Sequence, residues 1–131
     1  MNSSADHGDV KHIDLSVLDL IRQQMPGRPE VVNRIIGSFL RSSPGLLENL
    51  RAALFVGDPE EVRKAAHSMK SSNAQIGANQ LANMCHQLEI LASMGQLVDT
   101  AMLFEELERE YHHVEKELGL LLALSHGQEG R

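Results

Sequence analysis

The stretch "AAHSMKSSNAQIGA", residues 65–78, carries one histidine, His67, with Lys70 one helical turn beyond it and Arg63 and Lys64 one turn before. Wound as an α-helix at about 100° per residue from Val62, the side chains of Ala65, Ala66, Met69 and Ile76 fall within about 60° of Val62. That stripe is the candidate core face, and Asn73 lies inside it. His67 lands at about 140° on the same wheel, well away from the stripe. Its neighbours on that side are Lys70 at about 80°, Arg63 at about 100°, Ala74 at about 120°, Ser71 at about 180° and Lys64 at about 200°. The imidazole is therefore predicted to face solvent among cations and small residues. A neutral imidazole is a nucleophile near physiological pH without a base to deprotonate it. Phosphoryl transfer asks little of a carrier beyond position and charge compensation. Lys70 could approach phosphoryl oxygens, with Arg63 and Lys64 adding longer-range attraction. Ser71 and Ala74 would let a partner bring its own active site down onto the ring. Spacing alone, however, suits an ordinary solvated histidine at least as well.

The elements that position His67 are legible as helices. Asp58 is a candidate N-cap, Pro59 a first helical residue, and Glu61 completes a capping-box-like pattern, so a helix is predicted from Pro59 to about Ile76, ended by Gly77. A following helix from about Asn79 to Met94 puts Leu81, Met84, Cys85, Leu88, Leu91 and Ala92 on one face. His86 falls about 140° from Leu81, which reads as another solvated position. Upstream, Val32, Ile36, Phe39, Ser43, Leu46, Leu50 and Ala53 keep helical phase across Pro44. One long helix kinked at Pro44 is predicted; two consecutive helices with Ser43 as an N-cap are the alternative. A short helix begins near Ile13, with Asp14 as a possible cap, and stops at Met25-Pro26-Gly27. The last helix is predicted from Leu97 to Leu124, with Leu107, Tyr111, Val114 and Leu118 facing inward and acidic outer faces. Glu108 and His112 share a face there, but two ligands are too few for a structural metal site. The fold class is all-α: an antiparallel up-and-down four-helix bundle with a short extra N-terminal helix. Residues 1–11 and 125–131 are expected to be flexible tails around one domain at 12–124.

Composition narrows the classes. Twelve Lys and Arg against eighteen Asp and Glu give a net charge of −6, which supports no nucleic-acid partner. Aromatics are scarce, so the core must be aliphatic, as suits packed helices. The single cysteine, Cys85, rules out an internal disulfide framework and is expected to pack on the apolar face. The polar start has no apolar signal segment, and no apolar run approaches a membrane span. The expected setting is the cytoplasm.

With these residues in place, "HSMKSSNAQIGA" resembles the signature of bacterial histidine-containing phosphotransfer (HPt) domains, commonly H-x-L-K-G-S-S-x-x-x-G-A. His67, Lys70, Ser72, Gly77 and Ala78 stand in the matching places. "LANMCHQLE", residues 81–89, resembles the helix that follows, and "LRAALFVGDPEEVRKAAH" the lead-in. Met69 stands for the usual leucine, Ser71 for a glycine and Asn73 for a serine, all modest departures. The resemblance covers roughly residues 13–118.

The resemblance implies a monomeric phosphocarrier in a His-Asp phosphorelay, with His67 accepting a phosphoryl group from one receiver-domain aspartate and passing it to another. It also implies response-regulator receivers and a hybrid sensor histidine kinase as partners. No cofactor or metal is expected in the chain itself; the receiver supplies Mg²⁺. The chain has no Gly-rich nucleotide motif, in keeping with a carrier that does not phosphorylate itself. A non-phosphorylated HPt-like adaptor that docks on a receiver or kinase and inhibits it is the alternative. Arg63, Lys64, Ser71 and Ala74 are the expected docking residues. Ser71→Tyr and Ala74→Arg should each keep a melting temperature near wild type, because exposed substitutions change stability by only about 0.5 kcal/mol. Each should still block receiver binding, and normal binding by either variant places the docking surface elsewhere.

Overall fold

The computed structural model describes residues 10–129. All of the regular elements among these residues are helices: α1 (Leu15–Gln24), α2 (Glu30–Val56), α3 (Pro59–Gln75), α4 (Asn79–Ser93) and α5 (Thr100–Glu129). Short turns make successive long helices antiparallel. α3 packs between α2 and α4, and α5 closes the bundle against both α4 and α2. α1 leans on α2 at one edge. Leu50, Val62, Met69, Leu81, Leu88, Leu107, Val114 and Leu118 meet in the core around Tyr111, the largest fully buried side chain.

α2 runs unbroken through Pro44, as the continuous apolar phase predicts. Ser43 occupies a core position there. Its hydroxyl lies 2.9 Å from the Tyr111 hydroxyl, which satisfies both polar groups inside the bundle. One turn further on, Leu47 and not Leu46 is buried, a one-residue departure from the predicted face. In α1, Leu18 is buried while Leu20 is exposed.

The α3 boundaries follow the cap chemistry. Asp58 accepts from the Glu60 amide at 3.1 Å and Pro59 opens the helix. Glu61 lies 3.6 Å from the Lys64 ammonium, so it serves as an i,i+3 ion-pair partner on the helix surface. At the other end Gly77 has φ +86°, and the Ala78 amide returns to the Asn73 carbonyl at 2.9 Å.

The last helix departs from prediction at both ends. Asp99 takes a left-handed conformation and the Thr100 hydroxyl binds the Leu97 carbonyl, so α5 begins at Thr100. It continues to Glu129, through residues predicted to form a tail. Its acidic face is only partly a solvated one: Glu110 and Glu117 are buried. Both receive the segment before α1. The Glu117 carboxylate accepts the Lys11 and His12 amides at 2.9 and 2.8 Å, and His12 Nδ1 lies 2.8 Å from Glu110. The His12 ring stacks on His113, their centroids 4.5 Å apart. The predicted N-terminal tail is thus fastened from Val10 onward; residues 1–9 lie outside the described residues. Glu108 pairs with Arg51.

α1 is tied to the α3–α4 turn by a backbone bond from the Asp14 amide to the Gly77 carbonyl, 2.8 Å. A Cβ on Gly77 would stand 2.7 Å from the Asp14 carbonyl oxygen, in a backbone conformation that L-residues resist. Gly77→Ala should therefore destabilise by about 2 kcal/mol or more. Gly45→Ala, in open space on α2, should instead stabilise by about 0.5–1 kcal/mol. Denaturant midpoints for the two variants check this contrast; equal midpoints would mean that α1 does not press on the turn.

Candidate functional site

α3 and α4 are joined by only three residues, so they lie side by side along most of their length. Val62, Ala66, Met69 and Asn73 on α3 are buried beside Leu81, Cys85 and Leu88 on α4. That packing fixes the register between the helices. It sets one α4 surface position, Glu89, beside one α3 surface position, His67.

His67 is 55% exposed, as its helical phase predicts. Its Nδ1 lies 2.7 Å from Glu89 Oε2. The Lys70 ammonium lies 2.7 Å from the other oxygen of the same carboxylate, Oε1. His86, one turn before Glu89 on α4, places Nδ1 3.5 Å from Glu89 Oε1 and 3.5 Å from Lys70 Nζ. Three side chains from two helices thus converge on one carboxylate, which is only 16% exposed.

Partial burial on its own pushes the Glu89 carboxyl upward. The Lys70 ammonium and the His67 ring, with His86 3.5 Å away, outweigh that and hold it down to about 2. The carboxylate is therefore ionised and can only accept. The proton in its bond to His67 must then sit on Nδ1, which leaves Nε2 with the lone pair in the neutral imidazole. A nucleophilic nitrogen on an exposed ring, with the opposite nitrogen anchored by an anion, is suited to taking up an electrophilic group from outside the molecule.

The other predicted residues divide. Lys70 joins His67 through Glu89. Ser71 and Ala74 are exposed further along α3, in the helical phase expected of them. Arg63 and Lys64 turn back along α3: Arg63 binds Glu60 at 2.7 and 3.0 Å, and Lys64 lies 3.6 Å from Glu61. Sequence reasoning misses Glu89 and the place of His86. Helical phase makes His86 a solvated residue, and it is about half exposed, yet it borders the cluster. The available signal is their i,i+3 spacing on the exposed face of α4; what a single helix cannot show is which neighbouring side chain that face meets. Cys85, as expected, is buried, and burial pushes its thiol up to about 12, leaving it inert. Among the described residues no group of three or more His, Cys, Asp and Glu side chains is arranged to hold a metal ion. No helix among them is long and apolar enough to cross a membrane.

The chain belongs to the Hpt domain family, which it matches over residues 34–117. Its fold is similar to the crystal structure of histidine-containing phosphotransfer protein B (HptB) from Pseudomonas aeruginosa PAO1, at 31% sequence identity and a TM-score of 0.78, covering 87% of this chain and 96% of that one. No curated protein sequence matches significantly.

Because folding depresses Glu89, its contribution to stability is complete above its ordinary value of 4.5 and fades as pH falls toward about 2. The Glu89 carboxyl ¹³C resonance should accordingly titrate near pH 2 in the native protein. Lys70→Met should move that midpoint upward by removing the strongest stabilising bond. A wild-type midpoint at the ordinary value would dissolve the cluster.

Proposed function

We propose that the protein is a phosphocarrier of a multistep His-Asp phosphorelay and that His67 is the residue phosphorylated. The observation that carries this reading is the His67–Glu89 bond in a chain of the Hpt family, because it leaves Nε2 as the nucleophile on an exposed ring. In the step proposed, the Nε2 lone pair attacks the phosphorus of a receiver's aspartyl phosphate. The bond from phosphorus to the aspartyl oxygen breaks, and the aspartate leaves with the electron pair. The imidazole, now substituted at Nε2, becomes cationic, and Glu89 stabilises that charge through the Nδ1 proton it already holds. The reverse sequence returns the phosphoryl group to another receiver. Lys70, one turn along α3, exchanges part of its contact with Glu89 for the phosphoryl oxygens.

On this reading the Mg²⁺ and the remaining machinery belong to the receiver, and the chain needs neither nucleotide nor kinase activity of its own. The partners proposed are response-regulator receivers and a hybrid sensor histidine kinase, with the carrier acting as a cytoplasmic monomer. Ser71 and Ala74 are proposed to admit the receiver. Arg63 and Lys64, engaged by Glu60 and Glu61, contribute to docking only on exchanging those partners.

The test is incubation with a panel of phosphorylated receiver domains. Label should appear on wild-type protein and vanish in His67→Gln, with circular dichroism unchanged. Lys70→Ala should slow single-turnover transfer about tenfold, the equivalent of one charge-assisted hydrogen bond of about 1.5 kcal/mol. Receiver binding without label on the wild-type protein would favour the inhibitory adaptor.

A further inference from the structure

His86 has no part in the transfer step just described, yet its Nδ1 stands 3.5 Å from both Glu89 and Lys70. The groups facing it are Glu89 on its own helix, with Lys70 and His67 across on α3; Arg63 also acts on the Glu89 charge from that helix. Of the partners His67 has in this cluster, Lys70 and Arg63 keep a fixed positive charge and Glu89 a fixed negative one over the range where histidines titrate. Only His86 can change the charge of the surroundings.

We infer that His86 is a proton-operated regulator of the phosphoryl equilibrium at His67. Neutral His86 accepts the Lys70 ammonium at Nδ1 and so helps to hold it on Glu89. Protonated His86 can no longer accept. It repels Lys70 and competes for Glu89 Oε1, which frees the ammonium toward a phosphoryl group on His67. It also adds one positive charge within reach of that anion. Both effects favour the phosphorylated form as pH falls. The added charge acts through a watery medium, where opposite charges a few ångströms apart shift an equilibrium about fivefold. A phosphoryl group on His67 must in turn favour protonation of His86, since the coupling is reciprocal.

The inference rests on His67 being the phosphorylated residue, and the experiment separates the two. One phosphorylated receiver is equilibrated at pH 8 and at pH 6 with wild-type protein, His86→Gln and His86→Arg, and the share of label on His67 is measured. The receiver's own titration and that of His67 are common to all three. The wild type should gain about fivefold more than His86→Gln between the two pH values. His86→Arg should show the same pH dependence as His86→Gln but at a higher level throughout. Equal pH dependence in wild type and His86→Gln overturns the role of His86 while leaving the carrier intact. Absence of label on His67 in every sample overturns the carrier reading and this inference with it.

Discussion

One carboxylate organises the site. Glu89 is largely covered and carries a full negative charge, so something must compensate it. Lys70 supplies the compensating charge and His67 supplies a hydrogen bond to the other oxygen. The consequence for His67 is chemical as well as geometric. An anion at Nδ1 selects the tautomer, restrains the ring, and stands ready to balance the positive charge that a substituent at Nε2 would create. An exposed histidine on an isolated helix would have none of these properties.

Such an arrangement spans two helices and therefore depends on their register. The three-residue turn between α3 and α4 sets it. Gly77 folds back there with φ +86°, Asn73 receives the Ala78 amide, and the Asp14 amide caps the Gly77 carbonyl from α1. A slip of one residue in α4 would carry Glu89 about 100° round its helix and away from His67. The core contacts of Met69, Leu81, Cys85 and Leu88 oppose that slip. The part of the molecule proposed to do the chemistry is small, and much of the bundle keeps two surface positions on different helices in contact.

The helical phase of α3 is legible from residues 62–76 alone, because the apolar stripe is clean and its two ends are marked by Asp58-Pro59 and Gly77. The exposure of His67 follows from that phase, and the motif around it points to the family. Glu89 is not legible as a partner. Periodicity assigns a side chain to a face of its own helix but says nothing about what stands opposite. The same limit hides the buried Glu110 and Glu117. Their acidic face reads as solvated, yet residues 10–13 fold onto it and bring backbone amides that no side-chain pattern announces. Pro44 is legible as internal, because apolar phase continues across it; Ser43 gives no hint of its distant partner, Tyr111.

The central claim is that Glu89 holds Nδ1 of His67 and leaves Nε2 to react. The most direct measurement is ¹⁵N–³¹P NMR on uniformly ¹⁵N-labelled protein phosphorylated by a receiver domain. The account predicts a single phosphohistidine, at His67, with phosphorus coupled directly to Nε2 and a proton retained on Nδ1. Phosphorus on Nδ1 of His67, or on any other histidine, would contradict it.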